Sequence, residues 1–157
     1  FADLLEVNGV SNYRVESGGE SRDKGENDKG RIWRVGIDKP IDDPSTMSRG
    51  IQEVVQMGNG ALATSGNYRQ YYIKDGKKYA HTIDPRIGYP VQHSLLSASV
   101  FAPDCMSADA YATSFMVLGL EKSIGIVEKD SLLEAYFIYA DSLGNDKTYV
   151  SEKLKDS

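Results

Sequence analysis

Short β-forming runs separated by turn signals constrain the fold of this chain more than any other feature of its sequence. Valine, isoleucine, tyrosine and tryptophan are concentrated in these runs, and turns such as Gly58-Asn59-Gly60 and Asp75-Gly76 divide them. Strands joined by so few residues pair antiparallel, because a parallel pair requires a long crossover connection. Residues 106–120 differ, since Ala108, Ala112, Phe115, Met116 and Gly119 recur at helical spacing and can face a core. The sequence therefore predicts an α+β fold, a mostly antiparallel sheet with inserted helices, as a single domain over residues 1–157.

The same signals predict the individual elements. A helix is expected at the start of the chain up to Asn8-Gly9, and a strand is expected before Gly18-Gly19. The charged and glycine-containing residues 21–30 predict a loop or a hairpin tip. Further along the chain we expect a strand over residues 31–40, two strands around Gly58-Asn59-Gly60, a hairpin around Asp75-Gly76, a strand over residues 95–104, helices over residues 106–120 and 121–130, and a final hairpin around residues 142–146.

Charge and cysteine content argue against several classes of function. The net charge at pH 7 is -5, which disfavours a general nucleic-acid binder. The single cysteine, Cys105, excludes an internal disulfide framework and a thiolate metal site. No apolar run approaches the length of a membrane span, and no signal peptide is recognised. Because residues 1–10 resemble the last turns of a helix, we expect that the sequence begins inside a longer protein and that any targeting signal lies upstream.

Asp109 and Thr113 form the first candidate site. They lie four residues apart on the predicted helix, so their oxygen atoms project from one face. With Ser107 as the expected N-cap, Asp109 would occupy the first turn, where the helix dipole favours an anion. A carboxylate and a hydroxyl are hard oxygen ligands that suit Mg²⁺ better than Zn²⁺. The alternative is structural, because aspartate is common near helix starts and a threonine hydroxyl can bond to a backbone carbonyl.

The loop at residues 79–91 holds the second candidate site. His81 ends a predicted strand, and a histidine suits proton transfer near neutral pH. Asp84 precedes a proline, which keeps it out of helical geometry, and Arg86 could bind a carboxylate or a phosphate. The alternative is a turn that the Asp84 side chain stabilises. The other histidine, His93, has no comparable setting, and we interpret it as a surface residue.

Small residues mark two further candidate sites. Thr64, Ser65 and Gly66 end a predicted strand, and a turn there could present backbone N–H groups to an anion. Gly18-Gly19 would permit a close approach of the backbone to a ligand. Taken alone, a β-turn is the simpler explanation of the first, and a strand end or bulge explains the second. The sequence lacks the GxSxG, Rossmann and P-loop patterns.

Five segments, taken in order, resemble one known family. They are NYRVESGGE, RIWRVGIDKP, ALATSGNYRQYY, YAHTIDPRIGYPV and SADAYATSFMVLG, and they are similar to the C-terminal half of the ApbE family, the FAD:protein FMN transferases. The DPRxGxP and ADAxAT patterns are specific, and the resemblance extends over nearly the whole chain. Glu20 stands where the family usually has an aspartate after the paired glycines.

The resemblance implies an activity and a set of site residues. Members of the family cleave the pyrophosphate of FAD and transfer FMN to a threonine or serine hydroxyl of a target flavoprotein, and they require Mg²⁺. By position, Asp109 and Thr113 would ligate the metal, and His81 would be the base for the acceptor hydroxyl. Mg²⁺ would also offset the repulsion between a pyrophosphate and a chain of net charge -5. The flavin site would be lined by Ile83 and Asp84, and near it would lie Thr64, Ser65, Gly66, Gly18 and Gly19.

The resemblance also implies partners and a location. FAD is the expected substrate and a flavoprotein with a Thr or Ser acceptor site is the expected partner, with no role for nucleic acid. Family members are commonly exported lipoproteins, so we expect a periplasmic or inner-membrane-anchored protein, held by a lipid anchor outside this chain.

One part of the family domain has no counterpart in this sequence. The N-terminal half supplies much of the adenine pocket and a lysine-containing segment whose backbone carbonyl ligates the metal, so we expect the chain alone to turn over poorly or not at all. Two alternative functions stay open. One is an FAD pyrophosphatase that releases FMN and AMP, and the other is a flavin-binding module without catalysis.

Overall fold

An antiparallel sheet with helices packed against it forms the fold, and it confirms the predicted α+β class. The computed structural model describes residues 1–39, 50–67, 71–74, 77–80 and 82–155. In chain order the elements are α1 (Ala2–Val7), β1 (Tyr13–Ser17), β2 (Glu20–Lys24), β3 (Trp33–Asp38), β4 (Ile51–Met57), β5 (Asn59–Gly66), β6 (Tyr71–Lys74), β7 (Lys77–Ala80), β8 (Ile83–Asp84), β9 (Tyr89–Pro90), β10 (Leu95–Ala102), α2 (Cys105–Leu118), α3 (Leu120–Val127), β11 (Glu134–Ala140), β12 (Asp146–Val150) and α4 (Glu152–Lys155).

Six strands form the main sheet in the order β1-β2-β5-β10-β11-β12, and each neighbouring pair is antiparallel. Three two-stranded sheets accompany it, β3 with β4, β6 with β7 and β8 with β9. The pairs β6–β7 and β11–β12 are the two hairpins that the sequence predicts. Because a short connection joins the strands of each pair, consecutive strands lie next to each other.

The predicted loop or hairpin tip over residues 21–30 is wrong in its first part, where β2 runs to Lys24. Strand β2 pairs with β1, from Ser17 opposite Glu20 to Tyr13 opposite Lys24, and with β5 on its other edge. The charged residues of β2 are typical of a loop, but Asp23 faces inward and is buried. The Arg14 guanidinium on β1 neutralises this carboxylate, with Arg14 Nε 2.9 Å from Asp23 Oδ1, so a charged residue occupies a core position.

Two strands meet near the predicted turn, but Asn59 and Gly60 are the first residues of β5, only Gly58 lies between the strands, and the two do not form a hairpin. Strand β4 pairs with β3, whereas β5 pairs with β2 and β10 in the main sheet. The chain therefore passes from one sheet to the other at this point. Gly60 has a φ of +142°, and a Cβ there would lie 3.1 Å from the Ala102 carbonyl oxygen, so the crossing needs a residue without a side chain.

Helix α2 covers one face of the main sheet and packs against β5 and β10. Its Ala108 and Ala112 are fully buried, and such small residues let the helix backbone approach the strands closely. Phe115 of the same helix meets Phe137 of β11 edge to face, with ring centroids 5.5 Å apart. The predicted core positions of α2 are thus confirmed. None of the helices in the described part of the chain is long and apolar enough to span a bilayer.

The opposite face of the main sheet is covered by β3 and β4. Ile37, Val55 and Met57 of these strands pack on Leu62 and Phe101 of the main sheet. The main sheet is therefore buried on both faces, and its central strand β10 is an almost uninterrupted buried run.

His93 is partly buried, so its interpretation as a surface residue is wrong. Its Nε2 lies 2.8 Å from the Met116 carbonyl oxygen, and its Nδ1 accepts a hydrogen bond from the Leu95 N–H at 3.3 Å. The tautomer with its proton on Nε2 satisfies both contacts. The ring thereby links the start of β10 to the last turn of α2, where backbone carbonyls lack helical partners.

Candidate functional site

The start of helix α2 determines where Asp109 and Thr113 lie. Asp104 is the N-cap: its Oδ1 accepts from the Ser107 N–H at 2.9 Å and its Oδ2 accepts from the Ser107 hydroxyl at 3.0 Å. The bond from the Ser107 backbone is the main reason that the pKa of Asp104 is lowered. The prediction of Ser107 as N-cap is wrong, and Asp109 lies in the second turn. The helix dipole contributes little there, since its effect fades within the first turn.

Asp109 and Thr113 are exposed positions of α2, and each follows a buried alanine, Ala108 or Ala112. Their spacing of one helical turn places the carboxylate and the hydroxyl next to each other along the helix axis. Among the residues that the structure describes, the Asp109 carboxylate has no hydrogen bond and no ion pair. With respect to the described residues, this exposed carboxylate is uncommitted and available to a cation.

Strand β5 ends beside this side of α2. Ser65 Oγ lies 3.1 Å from Thr113 Oγ1, and either hydroxyl can donate. The position of Ser65 is fixed by the sheet, since it pairs with Ala98 of β10. The tertiary structure thus brings Ser65 of one predicted site beside Thr113 of another.

Thr64 lies on the other face of the sheet, as strand alternation requires. Its Oγ1 lies 2.8 Å from Ser99 Oγ on β10. Gly66 stands opposite Ser97 at the last rung of the same strand pair. Of the three small residues at the end of β5, only Ser65 therefore contacts α2 through its side chain.

The Asp84 carboxylate accepts hydrogen bonds within the turn between β8 and β9. Asp84 Oδ1 accepts from the Arg86 N–H at 2.9 Å and from Arg86 Nε at 2.8 Å, and Oδ2 lies 2.6 Å from Arg86 Nη2. The side-chain hydrogen bond from Arg86, followed by that from its backbone, lowers the pKa of Asp84 from 3.8 to about 2. This geometry agrees with the alternative of a turn stabilised by Asp84. Ile83 beside it stays half-exposed.

His81 lies outside the described residues, and the structure describes the residue after it. The Thr82 hydroxyl donates to Asn67 Oδ1 at 2.8 Å, and the Asn67 N–H donates to the Leu96 carbonyl at 3.0 Å. The loop that contains Thr82 is therefore hydrogen-bonded to Asn67, the residue that follows Gly66. Sequence reasoning did not single out Asn67 or Thr82, although both lie inside the segments that carry the resemblance; only the tertiary pairing distinguishes them.

Gly18 and Gly19 form the two-residue turn between β1 and β2. Their φ angles of +65° and +96° are those of a type I′ hairpin, and a Cβ at either position would meet no atom within 4 Å. The backbone conformation alone accounts for both glycines. The register of β2 on β5, with Ser21 opposite Leu62, directs this turn toward the end of β5 that holds Thr64 and Ser65.

A cleft of about 450 Å³ separates this hairpin from the start of α2. It is lined by Ser17, Glu20, Arg22, Cys105 and Met106, among others. Arg22 is already engaged there by Asp3 at 3.0 Å and Glu6 at 3.3 Å. The cleft therefore offers no uncompensated positive charge from Arg22 to an anion.

The oxygen atoms near α2 fit a hard cation. In the part of the chain that the structure describes, no group of three or more His, Cys, Asp or Glu side chains could hold a metal ion. One carboxylate, that of Asp109, and the hydroxyls of Thr113 and Ser65 face the same surface. This donor set suits Mg²⁺, which takes oxygen ligands and usually keeps several waters, and it does not suit Zn²⁺.

Comparison with known proteins gives one consistent family. The model of the ApbE family matches residues 1–137. The chain is 42% identical over 141 residues to the FAD:protein FMN transferase of Haemophilus influenzae, covering 90% of this chain and 40% of that protein. It is 40% identical over 154 residues to the FAD:protein FMN transferase of Vibrio cholerae, covering 98% of this chain and 44% of that protein.

Solved structures agree with the sequence comparison. The flavin transferase ApbE from Vibrio cholerae superposes with a TM-score of 0.81 at 40% identity, covering 99% of this chain and 47% of that chain. The apo form of the Pseudomonas stutzeri flavinyl transferase ApbE superposes with a TM-score of 0.80 at 32% identity, covering 99% and 46%. The chain therefore spans less than half the length of the relatives that it matches.

Proposed function

Because the chain belongs to the ApbE family, we propose that it is the C-terminal part of a flavin transferase that moves FMN from FAD to a threonine or serine hydroxyl of a target flavoprotein. The observation that supports this most directly is the set of oxygen atoms from Asp109, Thr113 and Ser65 on one exposed surface at the end of β5. The activity is proposed for the whole protein, since the chain spans about two fifths of its curated relatives.

The proposed substrate is anionic, and the chain is acidic. Asp109 would hold Mg²⁺ through its carboxylate and Thr113 through its hydroxyl, in keeping with their exposure and spacing. When bound there, Mg²⁺ would supply the positive charge that offsets the FAD pyrophosphate and the charge on the leaving AMP. The half-exposed Ile83 offers apolar surface to the flavin ring, and the Asp84–Arg86 turn fixes the backbone next to it.

The proposed transfer needs a base, because a threonine hydroxyl is a weak nucleophile until its proton is removed. We assign this role to His81 from the family resemblance. The acceptor oxygen forms a bond to the FMN phosphorus of FAD, the bond from that phosphorus to the bridging oxygen breaks, and AMP leaves. The proton of the acceptor hydroxyl goes to His81.

The direct test is a transfer assay with the protein at its natural length. The protein is incubated with FAD, Mg²⁺ and an acceptor flavoprotein domain, and the acceptor is analysed by intact mass and in-gel flavin fluorescence. We expect the acceptor to gain one FMN and AMP to appear in equal amount. Release of FMN and AMP without a modified acceptor would instead identify an FAD pyrophosphatase, and FAD binding without either product would identify a non-catalytic flavin-binding module.

Replacement of the proposed base tests its role separately from substrate binding. His81→Ala should keep FAD binding, measured by quenching of flavin fluorescence, and should lose FMN transfer, because the acceptor hydroxyl then keeps its proton. Transfer at the wild-type rate would remove His81 from the role of base.

Replacement of the proposed carboxylate ligand tests the metal site. Asp109→Ala should raise the half-saturating Mg²⁺ concentration by more than the roughly 10–100-fold typical of outer-shell changes, since a ligand to the ion is lost. Glu121→Ala is the matched control, because Glu121 is an exposed carboxylate on α3. An Mg²⁺ dependence that stays the same in Asp109→Ala would exclude Asp109 as a ligand.

A further inference from the structure

The Ser65 hydroxyl lies beside the proposed metal ligand Thr113 and is not itself one of the two ligands proposed above. The two oxygen atoms, Ser65 Oγ and Thr113 Oγ1, are 3.1 Å apart, which is within hydrogen-bond distance. A threonine hydroxyl has one proton and two lone pairs. When a lone pair of its oxygen faces a cation, the proton has to point away from the cation, and it then needs an acceptor.

We propose that Ser65 is a positioning residue for Thr113. Its oxygen accepts the hydrogen bond that the Thr113 hydroxyl donates, and this directs the Thr113 oxygen lone pairs toward the bound cation. The inference rests on the proposed function, in which Thr113 is a ligand to Mg²⁺. Partners of this kind fix the orientation of a ligand and raise its basicity, and their loss weakens metal binding although they never touch the metal.

Both partners are held by rigid elements, so the hydrogen bond can act as a constraint. Strand β5 lies inside the main sheet between β2 and β10, and Ser65 pairs with Ala98 of β10. Helix α2 is held against the same strands by the fully buried Ala108 and Ala112. The distance between the two hydroxyls is therefore set by the packing of helix on sheet and not by loop geometry.

The experiment measures metal binding directly in the natural-length protein. Mn²⁺ is titrated in the presence of FAD, and free Mn²⁺ is followed by electron paramagnetic resonance. We expect Ser65→Ala to weaken Mn²⁺ binding roughly 10-fold and Ser65→Thr, which keeps the hydroxyl, to restore it. Ser114→Ala should leave the affinity unchanged, because Ser114 is an exposed neighbour on α2. The thermal unfolding midpoint of each variant is recorded to show that the fold is intact.

A second measurement separates positioning from direct ligation. Water-proton relaxation reports the number of waters on the bound Mn²⁺, and this number should rise in Thr113→Val and stay the same in Ser65→Ala. Wild-type affinity in Ser65→Ala would overturn the positioning role and leave the Asp109 and Thr113 site intact. A higher number of waters in Ser65→Ala would overturn it as well, because Ser65 would then be a ligand itself. Mn²⁺ binding that neither Asp109→Ala nor Thr113→Val weakens would overturn both the metal site and this inference.

Discussion

At the scale of single residues, the Asp84 carboxylate is committed to the turn that contains it. It accepts hydrogen bonds from the backbone and the guanidinium of Arg86, while the Asp84 carbonyl accepts from the Gly88 N–H at 2.8 Å. Gly88 closes the turn with a φ of +71°, which a glycine adopts without strain. The aspartate, the arginine and the glycine of this motif therefore have structural roles that hold Ile83 and Thr82 in place.

The low pKa of Asp84 predicts a pH dependence of stability. Its pKa in the folded chain is about 2, below its ordinary value of 3.8, so the folded state favours the ionised carboxylate. This contribution to stability is fully present above about pH 4 and is lost as the pH falls through about 2. The unfolding midpoint of the wild type should therefore fall more steeply between pH 4 and pH 2 than that of Asp84→Asn. Parallel curves for the two proteins would contradict the assignment, and Asp28→Asn, at an exposed loop position, serves as control.

At the scale of elements, Gly119 separates α2 from α3. It has a φ of +81° and a ψ of 172°, a conformation available essentially only to glycine. A Cβ there would lie 3.2 Å from Cδ2 of His93, the ring that binds the end of α2. The break between the two helices and the link to β10 thus depend on the same residue.

Replacement of this glycine should destabilise the chain. Gly119→Ala is expected to lower the free energy of unfolding by about 2 kcal/mol, because the added methyl group strains the backbone and presses on His93. The control is Gly125→Ala inside α3, where a Cβ meets no atom within 4 Å and alanine should stabilise the helix by about 1 kcal/mol. Urea unfolding measures both; equal shifts in the same direction would show that the conformation of Gly119 is not the cause.

At the scale of the whole molecule, the main sheet separates two apolar layers. Helices α2 and α3 cover one face, and β3 and β4 cover the other. Phe115 is central to the helical layer, since its ring is fully buried and lies between Tyr111 and Phe137. The packing of this ring holds α2, and with it Asp109 and Thr113, at a fixed height above the sheet.

Removal of the Phe115 ring should therefore reduce stability strongly. Phe115→Ala is expected to lower the free energy of unfolding by about 3–5 kcal/mol, through lost burial and the cavity left behind. Met106→Ala on the same helix should change it by less than about 0.5 kcal/mol, because Met106 is 81% exposed. Chemical denaturation gives both values, and a loss below about 1 kcal/mol for Phe115→Ala would mean that the helical layer repacks around the missing ring.

Much of the fold could be predicted from local signals. The strands before and after Asp75-Gly76, the core positions of α2 and the final hairpin follow from hydrophobic period and turn residues, which act over a few neighbours. Strand β2 was missed because its inward-facing Asp23 looks like a loop residue until Arg14 of the neighbouring strand is beside it. The two strands predicted around residues 58–60 do not pair with each other, because strand partners are selected by burial of a whole face and not by the turn alone.

For the candidate site too, local signals predicted one part and the tertiary structure decided the other. The sequence by itself determined the family, the helix with Asp109 and Thr113 one turn apart, and the polar turn at Asp84, because each depends on residues close together in the chain. Only the tertiary structure decided that Ser65 of β5 meets Thr113 of α2, that Thr82 is bound to Asn67, and that His93 lies at the end of α2. These contacts join residues 15 to 48 positions apart, and the packing of α2 on the sheet, which no local pattern specifies, sets their distances.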